Sequence, residues 1–240
     1  MIYKNSNNVI SFFNIKFYDW TYNSIIKRIS KGGYLCAPAA FPLCEIRKEK
    51  KYFIALKNAS INLLDSGFFC ILLRIFNKLK VKKFSGFLFL IKFLNDKRFK
   101  KKKILFINPT IKDSNLNSIL LTKKRFNNFF SYEAPIYNSI KSYQDKKLFD
   151  LINKIRPKFV VINISGLKQE YLAYVIVKKI KFKLSIFCLG GAVSFITKSQ
   201  APINTFYDKY YMGWFIRMIF SPRIFVARTF RSLSLIKYFF

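Results

Sequence analysis

Short apolar runs alternate along this chain with longer segments in which apolar residues recur every three to four positions. The short runs are typical of β-strands and the longer periodic segments of α-helices. Strands are predicted over residues 34–36, 103–107, 159–164 and 184–189. The last two runs are almost entirely apolar, as expected for central strands that are covered on both faces. The pattern therefore predicts an α/β fold with a Rossmann-like, mostly parallel sheet flanked by helices.

Residues 169–181 lie between the last two predicted strands and have the periodicity and length of a crossover helix. A strand, a helix and a second parallel strand form a unit whose ligand site lies beyond the carboxyl ends of the strands. The loop of residues 165–168 joins the first strand to the helix at that edge. We therefore predict that this loop forms part of a ligand site.

The end of the chain differs in composition from the rest. No acidic residue follows Asp208, whereas basic and aromatic residues are frequent there. We predict an α/β domain over residues 1–208 and a C-terminal helical, membrane-binding appendage over residues 209–240. At 100° per residue, one apolar arc of a helix would contain Phe225, Val226, Leu233, Ile236 and Phe240. The arginines largely opposite this arc are Arg223, Arg228 and Arg231. Such a helix can lie in a membrane interface or pack on the domain, and the sequence leaves both open.

The chain is strongly basic, with 44 Lys and Arg against 11 Asp and Glu and a formal net charge of +33. This excess favours anionic partners, which are nucleic acids, anionic lipids or phosphorylated substrates. Residues 78–103 hold eleven of the basic residues and a single acid, Asp96. A charged run of this kind is typical of a solvated surface. The alternative is attraction to anionic lipid, which contributes about 1 kcal/mol per basic residue near the surface.

The most apolar segments are too short to span a membrane. Residues 68–76 and 84–94 are interrupted by Arg74 and Lys92, and a spanning helix needs roughly 20 residues. Residues 1–16 lack the pattern of a signal peptide because Asn and Ser interrupt them. We therefore expect a cytoplasmic protein that is peripheral on the inner face of the bacterial cytoplasmic membrane.

Histidine is absent from the sequence, which narrows the possible chemistry. Its absence excludes Ser-His-Asp and Cys-His catalysis and the HExxH zinc motif. Cys36, Cys44, Cys70 and Cys188 stand singly without CxxC spacing, so neither a structural metal nor a disulfide framework is expected. Acid and base roles fall to carboxylates, Lys, Tyr or Cys. We expect no metal and no cofactor.

Asp65 is the strongest candidate for a general base. It ends the apolar, strand-like run of residues 61–64, and Ser66 and Gly67 then lead into a helical run that reaches Phe76. A carboxylate at the carboxyl end of a strand can be partly desolvated, which raises its pKa and suits it to accept a proton. The alternative interpretation is an aspartate that caps the following helix.

Two further clusters follow predicted strands. Gly166 to Glu170 opens a helix, where free N–H groups and the helix dipole favour an anion such as diphosphate, and Gln169 can hydrogen-bond a sugar or phosphate oxygen. Gly190 and Gly191 end the last strand, and paired glycines let a ligand approach the backbone closely. Each cluster alone is a weak signal.

The order and spacing of these clusters resemble glycosyltransferase family 26, the WecG/TagA/CpsF family, over most of the chain. Asp65-Ser66-Gly67 resembles the family's strand-end aspartate, and Lys83-Phe84-Ser85-Gly86 resembles its basic segment. Gly166 to Glu170 and Gly190 to Phe195 resemble two further elements. The family's closing pattern is resembled by Ala201-Pro202, by Met212-Gly213-Trp214-Phe215-Ile216-Arg217 and by Pro222-Arg223.

The resemblance implies an inverting hexosyltransferase in cell-surface polysaccharide biosynthesis. It implies transfer of a sugar, of the N-acetylmannosamine type or another hexose, from a UDP-sugar to an undecaprenyl-diphosphate-linked acceptor, without a metal. Asp65 would be the general base, and Gln169 would position the donor or the acceptor. The substrate-binding residues that it implies are Lys83, Ser85, Gly86, Gly166, Glu170, Gly190, Gly191, Phe195, Arg217, Arg223 and Arg228. The arginines would neutralise the leaving diphosphate.

The expected partners are these substrates and an anionic membrane surface, without nucleic acid, and a homo-oligomer is left open. Two departures from the family pattern bear on the donor. Ala37-Pro38-Ala39 stands where the family often has Thr-x-Asn, and Lys83 replaces an arginine. The sequence is similar to a branch linked to exopolysaccharide, so the donor sugar is left open. Three alternatives also stay open: an inactive paralogue, a basic nucleic-acid-binding protein, and an enzyme of another class on a similar sheet.

Overall fold

The computed structural model of the chain describes residues 2–240. Within these residues, nine strands form one sheet: β1 (Tyr3–Lys4), β2 (Val9–Phe12), β3 (Ile15–Tyr18), β4 (Gly33–Cys36), β5 (Ile61–Leu63), β6 (Ile104–Asn108), β7 (Phe129–Glu133), β8 (Phe159–Ile162) and β9 (Ser185–Cys188). The α-helices are α1 (Tyr22–Ile29), α2 (Ala40–Cys44), α3 (Lys50–Asn58), α4 (Gly67–Asn77), α5 (Gly86–Asn95), α6 (Ile111–Lys123), α7 (Lys146–Ile155), α8 (Lys168–Lys179), α9 (Ala192–Ile196), α10 (Thr205–Lys209), α11 (Gly213–Phe220) and α12 (Pro222–Ser232).

The strand order across the sheet is β1-β2-β3-β5-β4-β9-β8-β6-β7. Every pair from β3 to β7 is parallel, and only β1 and β2 add antiparallel strands at one edge. The predicted strands are confirmed as β4, β6, β8 and β9, and the predicted crossover helix is confirmed as α8. The α/β fold with a mostly parallel sheet flanked by helices is thus confirmed.

Helices cover both faces of the sheet because successive strand side chains point to opposite faces. Tyr34 and Cys36 of β4 belong to one buried cluster, and Leu35 between them belongs to the other. We call the side covered by α2, α3, α4, α7 and α8 the first face. The second face is covered by α1, α5, α6 and α9. The second face is densely packed around Phe93 of α5. The centre of its ring lies 5.0 to 5.2 Å from the ring centres of Phe99, Phe159 and Phe187.

The basic run of residues 78–103 does not form one continuous surface. Its middle is α5, whose side chains are mostly buried, and its cations lie mainly in the segments on either side. Residues 78–84 form an extended connection between α4 and α5, and residues 97–99 form a short 3₁₀ turn after α5. The lysines and arginines are therefore divided between two separate regions.

The C-terminal residues cross the carboxyl edge of the sheet from the second face to the first. Helix α10 contacts α5, and Ile216 of α11 is buried in the second-face cluster. Helix α12 then contacts α2, and Leu235 is fully buried in the first-face cluster. The C-terminal helical appendage therefore lies over the carboxyl ends of the strands. The predicted boundary after residue 208 falls within α10, and the division into two domains stays a prediction.

The prediction of one apolar arc along the appendage is wrong. Helix α12 ends at Ser232, and residues 233–238 form 3₁₀ turns, which advance by about 120° per residue rather than 100°. Leu233 is consequently exposed, whereas Leu235, which the arc omitted, is buried. Within residues 2–240, the helices are all too short or too polar to cross a membrane.

Candidate active site

The two central strands β4 and β9 lie side by side, but the chain leaves them in opposite directions. After β4 it turns into α2 on the first face, and after β9 it turns into α9 on the second face. Diverging connections at the carboxyl ends of adjacent parallel strands leave a space that α/β proteins use for ligands. We call this space, between the segments that follow β4, β5, β8 and β9, the carboxyl-edge crevice.

Asp65 lies at the carboxyl-edge crevice, two residues after β5. The strand and Leu64 are fully buried, whereas Asp65 is half-buried. The backbone N–H of Gly86 donates to its Oδ1 at 2.8 Å. Burial raises the pKa of Asp65, and the Gly86 N–H and the Lys83 ammonium partly oppose the shift. A fixed carboxylate with a raised pKa is suited to accept a proton.

The alternative role of Asp65 as a helix cap is wrong. Ser66 caps α4 instead, since its Oγ accepts from the Phe69 N–H at 3.1 Å. Because Ser66 caps α4, the carboxylate of Asp65 can accept from the Gly86 N–H and face the crevice.

Gly86 begins α5 at a point where the backbone must come close to β4. A Cβ atom at this position would lie 2.8 Å from the Cβ of Ala37, so a larger residue would push α5 away from the strand. Ser85 caps α5, accepting from the Leu88 N–H at 3.0 Å. The small residues at 37 and 86 therefore bring the α5 N–H to Asp65.

Asp208 was not predicted from the sequence as a site residue, and it engages two of the predicted substrate-binding residues. Its Oδ1 accepts from Lys83 Nζ at 2.5 Å, and its Oδ2 accepts from Ser85 Oγ at 2.7 Å. The sequence feature that points to Asp208 is that it is the last acidic residue before the basic C-terminal segment. Because Lys83 and Ser85 are held by Asp208, they fix the start of the appendage beside Asp65.

Tyr211 is a second residue of this region that was not predicted from the sequence. Its ring lies so close to Gly67 that a Cβ there would be 2.4 Å from Tyr211 Cδ1. Its hydroxyl accepts from Arg74 at 2.8 Å, and its ring lies 5.4 Å from Lys83 Nζ. Tyr211 thus packs the appendage onto the first turn of α4, immediately after Asp65.

The two glycine-containing clusters meet, as expected for segments that follow neighbouring strands. Gln169 Oε1 accepts from the Gly190 N–H at 3.0 Å, and Gln169 Nε2 donates to Glu170 Oε1 at 2.9 Å. Gly190 has a φ of +58°, a left-handed conformation that favours glycine. The side chain of Glu170 therefore sets the orientation of the Gln169 amide. Gly166 lies beside them against α2, because its Cβ would be 3.1 Å from Pro42 Cγ.

Glu170 is an isolated buried acid. It is 1% exposed, and its Oε2 has no hydrogen-bond partner within residues 2–240. Burial raises the pKa of Glu170 to about 7, although hydrogen bonds from Gln169 and the backbone oppose the shift. Asn163, which follows β8, also has a buried oxygen without a partner. Polar atoms of this kind at the carboxyl edge are suited to receive a ligand or an ordered water.

We expect Glu170 to make the free energy of unfolding depend on pH. Burial favours the neutral form of Glu170 in the folded state, and this preference contributes to the free energy of unfolding. The contribution is complete below the unfolded pKa of about 4.5 and is lost as pH rises through the folded pKa of about 7. A shift of this size corresponds to roughly 3 kcal/mol. The measurement is urea unfolding of the native protein and Glu170→Gln at about pH 5 and about pH 8.

The variant isolates this effect because the chain has no histidine that titrates in the same range. Glu170→Gln retains an oxygen that accepts from Gln169, so its stability should change less between the two pH values. If the stability of the two proteins depends on pH in the same way, Glu170 is ionised in the folded state at both pH values.

Two of the three predicted arginines lie close to aromatic side chains around the carboxyl-edge crevice. The Arg217 guanidinium lies 4.5 Å from the ring centre of Phe195, and its Nε is buried without a partner. Burial lowers the pKa of Arg217, and the nearby Arg228 also lowers it. The carboxylates of Asp65 and Asp208 oppose the shift by raising the pKa. Arg228 lies over Phe41. Arg223 is exposed and makes no hydrogen bond or ion pair with a described residue.

Other candidate bases at this edge are less suitable than Asp65. Cys36 and Cys188 are paired in register on β4 and β9, and burial raises the pKa of both thiols. Neither is therefore a thiolate near neutral pH. Between residues 2 and 240, no three side chains of the types His, Cys, Asp and Glu come together in a way that could hold a metal ion.

The fold and the site define an α/β protein with a candidate ligand site at the carboxyl edge of a parallel sheet, beside a carboxylate and two arginines. The chain belongs to the WecG/TagA/CpsF family of glycosyl transferases, whose sequence model matches residues 10–240. It is therefore a glycosyltransferase of cell-surface polysaccharide biosynthesis that acts on a sugar donor and an acceptor. No curated protein matches the chain.

Proposed function

We propose that the protein is an inverting, metal-independent hexosyltransferase that moves a sugar from a UDP-sugar to a polyprenyl-diphosphate-linked acceptor. The observation that carries the proposal is Asp65, a half-buried carboxylate held by the Gly86 N–H at the carboxyl-edge crevice, with Arg217 near it. The donor is N-acetylmannosamine-type or another hexose.

In the proposed reaction, Asp65 removes the proton from the acceptor hydroxyl as that oxygen attacks the anomeric carbon of the donor. The new glycosidic bond forms on the face opposite the leaving group, and the bond between the anomeric carbon and the diphosphate oxygen breaks. UDP leaves with the bonding electron pair, and Asp65 keeps the proton until it passes to solvent. The Gly86 N–H fixes Oδ1 throughout, which leaves Oδ2 to accept the proton.

The leaving diphosphate would be stabilised by arginines. Arg217 is already stripped of much of its water, with an unpartnered Nε, and a guanidinium in such surroundings interacts strongly with phosphate oxygens. Arg228 adds a second positive charge next to Phe41. Arg223 is exposed in this structure, so its contact with substrate requires movement of α12.

The nucleotide would bind where α8 begins. The start of α8 carries the positive end of a helix dipole, and Gly190 and Gly191 add no side chains of their own at the end of β9. Gln169 lies between the two glycine segments through its bond to Gly190, which supports a role in positioning the donor. Ala37 and Ala39 provide no side-chain hydrogen bond to the sugar, so the donor must be oriented by other residues.

A panel of UDP-sugars tests the proposal. Release of UDP would be measured for each sugar with a polyprenyl-diphosphate-sugar acceptor, with and without a chelator, and with acceptor omitted as the control. Acceptor-dependent release from one donor that persists with chelator is expected. The absence of release from every donor would favour an inactive paralogue, and release that stops with chelator would contradict metal independence.

We further propose that the appendage is the membrane-binding surface, on the inner face of the cytoplasmic membrane. Ten of the 21 large hydrophobic side chains that are exposed in residues 2–240 lie in the appendage of residues 209–240, among them Trp214, Ile219 and Phe220. Exposed apolar surface next to arginines favours an anionic membrane interface. Phe240 extends this surface at the end of the chain.

Replacing Trp214, Ile219 and Phe220 by serine should weaken binding to vesicles at least about 100-fold, because each buried side chain contributes about 1.5 to 3 kcal/mol. All three are more than half exposed, so the fold should be retained. The matched control replaces Ile119, Ile136 and Ile140, which are at least as exposed on other parts of the surface. Equal losses in the two variants, measured by vesicle sedimentation, would contradict the assignment.

A further inference from the structure

A second concave site lies next to Asp65 but outside the carboxyl-edge crevice. It is a groove of about 740 Å³. Its walls are the residues after β3, the last turn of α4, and the extended segment of residues 78–84. We call it the basic groove. The Phe84 N–H donates to the Leu64 carbonyl at 3.0 Å, so the groove wall joins the backbone one residue before Asp65.

Cations dominate this groove. Six of them line it: Lys4, Arg74, Lys78, Lys80, Lys82 and Lys83. The one acid in the lining is Asp19, and it is already paired with Lys4 at 2.6 Å. Three lysines, at 78, 80 and 82, are exposed, and their ammonium groups have no ion pair or hydrogen bond within residues 2–240. The groove therefore has an uncompensated positive charge.

The backbone of residues 78–84 is held firmly in place. Leu79 and Val81 point inward, and the alternate lysines point outward. Hydrogen bonds fix the segment along its length, among them Leu79 N–H to Leu73 O, Lys4 Nζ to Lys80 O, Arg74 to Val81 O, Lys82 N–H to Asp19 Oδ1, and Phe84 N–H to Leu64 O. Like charges held close together repel, and an anion bound among them removes that repulsion.

The groove also adjoins apolar surface. Its Arg74 donates to the Tyr211 hydroxyl at 2.8 Å, and the same ring lies 5.4 Å from Lys83 Nζ. Tyr211 lies two residues before α11, whose Trp214 and Phe215 are exposed. A ligand with a phosphate group in the groove would therefore have its apolar part beside exposed aromatic side chains. This combination is the chemistry of an amphiphile rather than of a free phosphate.

We propose that the basic groove binds the headgroup phosphate of an anionic phospholipid. Lys78, Lys80 and Lys82 supply the charge, and Trp20 and Phe84 supply apolar walls. The site is separate from the crevice in which sugar transfer is proposed. It would hold the protein with the Asp65 end of the sheet towards the membrane surface. Lipid binding in this groove does not depend on the proposed transfer reaction.

Vesicle binding of the full chain tests this site. The groove variant carries Lys78→Gln, Lys80→Gln and Lys82→Gln. The control variant carries Lys146→Gln, Lys147→Gln and Lys154→Gln, three exposed lysines of α7 with the same total charge change. With vesicles of phosphatidylcholine and phosphatidylglycerol, the groove variant should bind about 100-fold more weakly than the native protein, because each lysine near the surface contributes about fivefold. The control should lose less than about fivefold.

Three outcomes would overturn the proposal. Unchanged binding of the groove variant would show that the lysines do not contact lipid. Equal losses in the groove and control variants would show that only net charge matters. Inorganic diphosphate that binds through the same three lysines while vesicle binding survives in the groove variant would assign the groove to a soluble phosphate compound. Circular dichroism of each variant confirms that the fold is intact.

Discussion

Replacing Asp65 by asparagine is expected to lower kcat about 10²- to 10⁴-fold, the range for loss of a general base. Asparagine has nearly the same shape, and its Oδ1 can still accept from the Gly86 N–H, so the crevice should keep its geometry. Binding of the UDP-sugar should therefore survive. Turnover of UDP release and calorimetric binding of the donor would be measured on the same preparation.

The control for this variant is Asp150→Asn, since Asp150 is an exposed carboxylate on α7. It should leave kcat unchanged. The pH profile gives a second readout, because burial raises the pKa of Asp65 and a base must be deprotonated to act. The native kcat should fall as pH drops through that raised pKa, and the residual activity of the variant should lack this acidic limb. Equal turnover in native protein and variant would remove Asp65 from the mechanism.

The second large effect is expected at Arg217. Arg217→Gln should lower kcat/KM about 10²- to 10³-fold, since a donor directed at developing negative charge in a water-poor site contributes about 2.7 to 4 kcal/mol. Arg217→Lys should recover part of the loss, because lysine keeps the charge but not the fork of N–H groups that matches a diphosphate. Steady-state kinetics with the same donor and acceptor would measure kcat/KM for both variants.

Arg223 offers the matched control because it lies on the same appendage but is exposed. Arg223→Gln should cost less than about tenfold, since an exposed charge is largely screened by salt. A loss at Arg223 equal to that at Arg217 would mean that α12 moves over the substrate in the working enzyme. A negligible loss at Arg217 would contradict its proposed role towards the leaving diphosphate.

The parts of the fold that could be predicted are those buried on both faces. Strands β8 and β9 and helix α8 are recognisable because their burial demands apolar runs with clear periods. The edge strands were not predicted. Strand β7 is half exposed and includes Ser131 and Glu133, so its pattern resembles a loop. Strands β1 to β3 are very short and are joined at Asn8, Phe13 and Asn14, all with positive φ, which local patterns do not reveal.

For the candidate site, position along a strand was enough to predict that Asp65, Gln169 and Gly190 lie at the carboxyl edge of the sheet. Each follows a buried strand, and parallel strands bring their carboxyl ends together. Asp208 could not be found in this way, because it meets Lys83 across 125 residues of sequence. The end of the appendage could not be predicted for the same reason. After Ser232 the chain forms 3₁₀ turns that contact α2 and the first-face core, which are distant in the sequence.

The role of Asp65 as a base in a single displacement is tested by the anomeric configuration of the product, read from proton NMR of the disaccharide formed from an α-linked UDP-sugar. If Asp65 acts as a base in a single displacement, the new bond has the β configuration. A product that keeps the α configuration would mean that the enzyme uses a covalent intermediate or a front-face reaction, and it would contradict the role proposed for Asp65.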